Sequence, residues 1–189
     1  MSRILRRQDG LPSKHFDPID LKRLQPTKML NDVCINGCAA LLQEHFSSLE
    51  NGTTTFSRRC AIFSTYDLPR VRYQGYEDGL WRNTYKLKYW EKDVWILPIH
   101  RPEALHWVLC VADLRAHQLF LFDSFAELRP WEEDVPVRQH HQVLVFPTNL
   151  QFQDIVILLS QLADLASRHG NPMHLATKKF TARPLNVCT

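Results

Sequence analysis

Between Asp93 and Ser124 the apolar positions gather into three short runs with polar links between them: Val94 to Ile99, Trp107 to Ala112 and Leu119 to Phe122. Each is rich in β-branched, leucine or aromatic side chains. Runs of that length and composition, bounded by polar or proline-bearing links, predict adjacent strands joined by turns. The link Asp113-Leu114-Arg115-Ala116 is short enough that the second and third runs predict a β-hairpin. Two longer stretches carry a helical period instead. Val33, Ile35, Cys38, Ala39, Leu41, Leu42 and Phe46 recur at about 3.6 residues and follow Asn31 and Asp32, either of which can cap a helix over 31–47. Phe152, Ile155, Val156, Leu158, Leu159, Leu162, Leu165 and Ala166 repeat the pattern over 151–169, and Gly170-Asn171-Pro172 stops it.

The remaining segments speak more faintly. Residues 1–20 predict an irregular leader, with a short helix starting at Asp20 and ended by Pro26. Cys60 to Tyr66 predicts a short buried strand or a helix end. From Val71 to Tyr89 aromatics mix with charges, a combination that can stack single-stranded nucleic acid. Trp81, Tyr85 and Tyr89 are spaced by four, however, which favours helical turns pressing rings onto a sheet. Gln142 to Phe146 is a fourth apolar run, with His140 and His141 beside it as a strand-edge pair. Together these elements predict an α+β fold in one domain over 21–189: a small mixed or antiparallel sheet of about four to five strands, with the two long helices packed on it.

Composition narrows the classes. A net charge of +3 over 189 residues argues against a nucleic-acid partner. No run approaches the roughly 18 apolar residues of a membrane span, and MSRILRRQDG lacks the apolar centre of a secretory signal. The five cysteines are odd in number and unevenly spread. Cys34 and Cys38 have no second Cys/His pair at metal-binding distance, so core thiols are expected and no metal or cofactor. Reduced thiols fit an intracellular compartment, nuclear or cytoplasmic.

The chemistry gathers at strand ends. His106 opens the second strand and Asp123 closes the third, so an antiparallel hairpin brings an imidazole and a carboxylate to one sheet edge. The carboxylate there can accept the Nδ1 proton, fix the tautomer and leave Nε2 as a base. Ser124 is expected to cap or turn. Cys110 shares the parity of His106 but lies in mid-strand, where a thiol is usually core.

The pattern Pro98-Ile99-His100, then His106-Trp107 with an apolar strand, a hairpin and Asp123-Ser124, resembles the core of the ubiquitin-like-protein-specific (SUMO) cysteine proteases of clan CE. Met29-Leu30-Asn31-Asp32 followed by Ile35-Asn36 is similar to that family's Trp-Leu-Asn-Asp…Ile-Asn motif. Ala182-Arg183-Pro184-Leu185 is similar to a run in the divergent members carried by fungal mobile elements. The resemblance covers 21–185. It implies a papain-like core that needs no cofactor and cleaves the peptide or isopeptide bond after a ubiquitin-like modifier. His106 would be the base and Asp123 its orienter, with Asn31 and Asp32 structural. Met29 would line the slot for the modifier's terminal Gly-Gly, standing where the family has tryptophan and making a softer, narrower wall, and Trp107 is either a core aromatic or, as the resemblance implies, another wall of that slot. The modifier or its conjugates would be the partner.

The family's nucleophile stands in a Gln…Asp-Cys-Gly motif, at a helix N-terminus that lowers the thiol pKa, with the glutamine donating to the oxyanion. Here Leu185 is followed by Asn186-Val187-Cys188-Thr189. Cys188 is the one late cysteine, without the motif's flanks. The expectation is therefore a family member incomplete before its nucleophile motif and inactive without it. The alternative is a non-catalytic module that binds a ubiquitin-like protein or a partner chain.

Overall fold

The computed structural model describes residues 18–48, 59–73, 75–101, 105–124, 149–173, 175 and 180–184. Five strands form one sheet in chain order: β1 (Cys60–Ile62), β2 (Val94–Arg101), β3 (His106–Asp113), β4 (Gln118–Phe122) and β5 (Thr181–Pro184). The three central strands are antiparallel, while β1 and β5 run parallel to β2 and β4. β2 and β3 extend past their apolar runs because Arg101 pairs with His106 across the hairpin. The β3–β4 link is held by Asp113, whose Oδ1 accepts the backbone N–H groups of Arg115 and Ala116 at 3.0 and 2.9 Å. A carboxylate that satisfies two turn donors is a local reason for the chain to reverse here.

The helices are α1 (Pro18–Lys22), α2 (Asp32–Ser48), α3 (Asp67–Arg72), α4 (Glu77–Thr84) and α5 (Asn149–Arg168), with short 3-10 turns at Tyr85–Leu87 and Tyr89–Glu91. α1 opens on Pro18, inside the expected leader and ahead of the expected start at Asp20; a proline is well placed in a first turn, where its missing N–H costs nothing. Asn31, not Asp32, caps α2: its Oδ1 accepts the Cys34 N–H at 2.9 Å, and its Nδ2 donates to Asp20 Oδ1 at 2.9 Å, tying α1 to α2. α5 ends in a Schellman turn, with Gly170 at φ +78 and the Asn171 N–H on the Ala166 carbonyl at 2.8 Å. The fourth apolar run and His140-His141 lie outside the described residues.

The two faces of the sheet are covered unequally. Trp95, Leu97 and Ile99 of β2, Val108, Cys110 and Ala112 of β3, and Leu119 of β4 share one face by their period of two. They are buried against Leu158, Leu159 and Leu162 of α5 and against Phe63, Leu80 and Tyr89. Tyr89 sits at the centre of this core, its hydroxyl donating to the Leu162 carbonyl at 2.9 Å and its own carbonyl accepting Trp95 Nε1 at 3.1 Å. The aromatic run splits accordingly. Tyr89 enters the core, while Trp81 packs half-buried against its edge, stacked on Trp90 and His169 at ring-centroid distances of 5.6 and 3.9 Å. On the other face, Ala39 and Ala40 of α2 pack on Ile62 and Ile96, and Leu109, Val111, Phe120 and Phe122 are half-buried.

α2 departs from its apolar period. Cys38 and Leu42 belong to the apolar stripe yet are exposed, whereas Asn36 and Gln43 are buried. The reason is tertiary. Asn36 donates from Nδ2 to Thr65 Oγ1 at 2.8 Å and accepts the Thr65 N–H at 3.0 Å, so a side-chain amide anchors the helix to the β1–α3 link. The expectation that Cys34 and Cys38 are both core thiols thus holds for Cys34 and fails for Cys38.

Candidate active site

The register assembles the site. Arg101, the last residue of β2, faces His106, the first of β3. β3 and β4 pair Leu109 with Phe122, so Asp123 comes one step further on, diagonal to His106. Side chains alternate between faces, which puts Arg101 with Leu97 and Ile99, His106 with Val108 and Cys110, and Asp123 with Leu119 and Leu121. All three therefore project from the covered face at one end of the sheet. There His106 Nε2 lies 2.7 Å from Asp123 Oδ1, and Arg101 Nη1 donates to Asp123 Oδ2 at 3.2 Å. The His106 and Asp123 side chains are 10% and 7% exposed. Just before them, Leu105 takes φ +47, a left-handed conformation that a leucine rarely adopts.

One detail reverses the expectation. The carboxylate meets Nε2, not Nδ1. The His106 side-chain torsions turn the distal nitrogen to the carboxylate across the diagonal. With the carboxylate accepting, Nε2 carries the proton and Nδ1 is the basic nitrogen.

Trp107 points the other way. Its ring lies 4.6 Å from that of His100, and its Nε1 donates to the Leu30 carbonyl at 3.0 Å. The bond pins the segment carrying Met29 to the same end of the sheet, just ahead of the Asn31 cap. Met29 itself is 61% exposed. Asp32 occupies the first turn of α2 and Ser124 follows Asp123 on the surface.

The cysteines divide by position. Cys110 shares the face of His106 but stands four residues along the strand, roughly 13 Å away at ~3.3 Å per residue. Full burial pushes its thiol up to about 12, which leaves it protonated and inert. Cys34 and Cys60 are also buried. Cys188 lies outside the described residues. Among the described residues no group of three His, Cys, Asp or Glu side chains could hold a metal ion, and no helix is long and apolar enough to cross a membrane.

A second buried carboxyl sits apart from the site. Asp67 starts α3, its Oδ2 accepting the Ser64 N–H at 2.8 Å. Burial raises its pKa to about 7 against the pull of that bond and of the Arg70 charge. Asn83, turned so that its oxygen takes the Arg70 guanidinium at 3.2 and 3.1 Å, offers Asp67 its nitrogen.

Residues 28–145, a span that takes in the 29–36 motif and the His106–Asp123 pair, match the family model described as the Ulp1 protease family, C-terminal catalytic domain. The chain belongs to the Ulp1 protease family. Solved structures of similar fold include a de-sumoylating protease (TM-score 0.59, 16% identity, covering 93% of this chain and 61% of that one). The Ulp1-like SUMO protease catalytic domain of Chaetomium thermophilum is another (TM-score 0.56, 17% identity, 89% and 58%). A third is a C-terminal Ulp1 protease domain in complex with Smt3, the yeast ortholog of SUMO (TM-score 0.50, 16% identity, 98% and 66%). At such identities the likeness concerns the fold, and this Ulp1-family chain spans less than two thirds of the length of those chains. No curated protein sequence matches it.

Arg101 at the site, and Asn36 on α2 away from it, are the unanticipated polar contacts. Asn36 stood inside a recognised motif, but its partner Thr65 is 29 residues away, and nothing local announces it. Arg101 was within reach of reasoning: residues that flank a tight turn pair across it, which places Arg101 opposite His106.

Proposed function

We propose that this chain is a peptidase domain acting on the peptide or isopeptide bond that follows a ubiquitin-like modifier. His106 is the base, through Nδ1, and Asp123 is its orienter. The observation that carries the reading is the 2.7 Å contact between His106 Nε2 and Asp123 Oδ1 at the end of the sheet. With the carboxylate accepting at Nε2, Nδ1 is the nitrogen assigned to take the proton of an attacking thiol. Family membership supplies the reaction class, and the solved relative that holds Smt3 supplies the partner class. Trp107, on the opposite face at the same end of the sheet, and Met29, next to the Leu30 carbonyl that Trp107 Nε1 holds, are the residues proposed to flank an extended Gly-Gly terminus. Cys188, which lies outside the described residues, is the candidate thiol that the sequence offers.

A second reading, a module that binds the modifier without cleaving it, is favoured by one observation: the described cysteines are either buried or, for Cys38, carried on the outer side of α2. One experiment separates the two. The chain is mixed with a SUMO bearing a C-terminal electrophile and with a fluorogenic SUMO substrate. Adduct formation at Cys188 with turnover, both lost in His106→Ala, supports the protease. Binding with neither supports the module, and absence of binding overturns both.

A further inference from the structure

We infer that Arg101 is a positioning residue for the base, acting through Asp123; the inference rests on His106 and Asp123 being base and orienter. A carboxylate bonded through one oxygen only can turn about its last side-chain torsion, which is broad and weakly restrained. Asp123 is engaged at both oxygens: Oδ1 by His106 Nε2 at 2.7 Å and Oδ2 by Arg101 Nη1 at 3.2 Å. The three groups come from three successive strands, and the β2–β3 register sets Arg101 directly opposite His106. His100, the neighbour of Arg101, turns to the opposite face and packs on Trp107.

Burial makes this contact more than a surface ion pair. The Asp123 side chain is 7% exposed, and that of Arg101 is 30% exposed. A charge-assisted bond to a carboxylate withdrawn from water is stronger than its exposed counterpart and fixes geometry. The guanidinium also holds the second carboxylate oxygen, so that Oδ1 stays turned to Nε2 as its acceptor. Replacing Arg101 thus leaves every group that touches the reacting atoms in place while loosening the tautomer on which they depend.

The test is nitrogen-15 NMR of the imidazole of His106 in the full chain, comparing the parent protein with Arg101→Met, which keeps the apolar stem, and Arg101→Lys, which keeps the charge but loses the planar fork. The parent shows a single tautomer with the proton on Nε2. Arg101→Met is expected to populate both tautomers and to speed exchange of the imidazole N–H with water about tenfold, the order expected for losing one charge-assisted anchor. Arg101→Lys recovers part of the difference, and it carries the test should the methionine variant fail to fold. An unchanged tautomer and exchange rate in both variants would overturn the inference. Probe labelling is a separate readout. Faster exchange without labelling strikes the protease reading alone, and unchanged exchange with labelling intact strikes Arg101 alone.

Discussion

The two faces of the sheet differ in what holds them. On the covered face, Trp95, Leu97, Cys110, Ala112 and Leu119 are at most 2% exposed beneath α5. On the other, α2 reaches Ile62 and Ile96, and Leu109, Val111, Phe120 and Phe122 stay half-buried. The polar triad Arg101, His106 and Asp123 stands at the end of the covered face, and Trp107 at the end of the half-covered one. Stability thus resides where packing is dense. The His106 imidazole sits at the margin of that region, dry enough for its hydrogen bonds to hold and close to the surface.

The sharpest way to break this contrast is by truncation. Leu119→Ala removes a fully buried side chain against α5 and is expected to cost about 2–5 kcal/mol in denaturant unfolding. A cost under about 1 kcal/mol would mean the covered face is not the core. Next comes Asp67, on the α3 side of the same core. Its carboxyl is raised from an ordinary 3.8 to about 7, so the fold favours the protonated form. That contribution to stability is fully present below the ordinary value and is lost as pH rises through about 7. The midpoint of thermal unfolding should therefore fall between about pH 4 and about pH 7 and level off above, and Asp67→Asn should flatten the fall. The smallest effect belongs to the half-covered face: Val111→Ala should cost at most about 1 kcal/mol in the same unfolding assay. A cost equal to that of Leu119→Ala would erase the distinction between the faces.

Much of this arrangement was legible in the sequence, for reasons that differ by element. Three short apolar runs with a four-residue link read as β2, β3 and β4 because strand length and turn chemistry are local. The meeting of His106 and Asp123 followed from hairpin geometry alone. α5 was clear because its apolar period coincides with its buried face, through Ile155, Leu158, Leu159, Leu162 and Leu165. α2 was clear as a helix but not in orientation, since the hydrogen bonds of Asn36 override its apolar stripe. β1 was one of two readings of Cys60 to Tyr66 and β5 was not anticipated; both rest on parallel pairing with distant partners, Cys60 with Val94 and Thr181 with Gln118, which no local pattern encodes. Which imidazole nitrogen meets Asp123 depends on the side-chain torsions of His106, which a sequence does not carry.

The central claim is that a carboxylate from the end of β4 holds the distal nitrogen of His106. Nitrogen-15 spectra of the imidazole in the parent chain and in Asp123→Ala test it most directly. The account predicts one tautomer, protonated at Nε2, in the parent and a mixture in the variant. A proton on Nδ1, or a tautomer untouched by loss of Asp123, would contradict it.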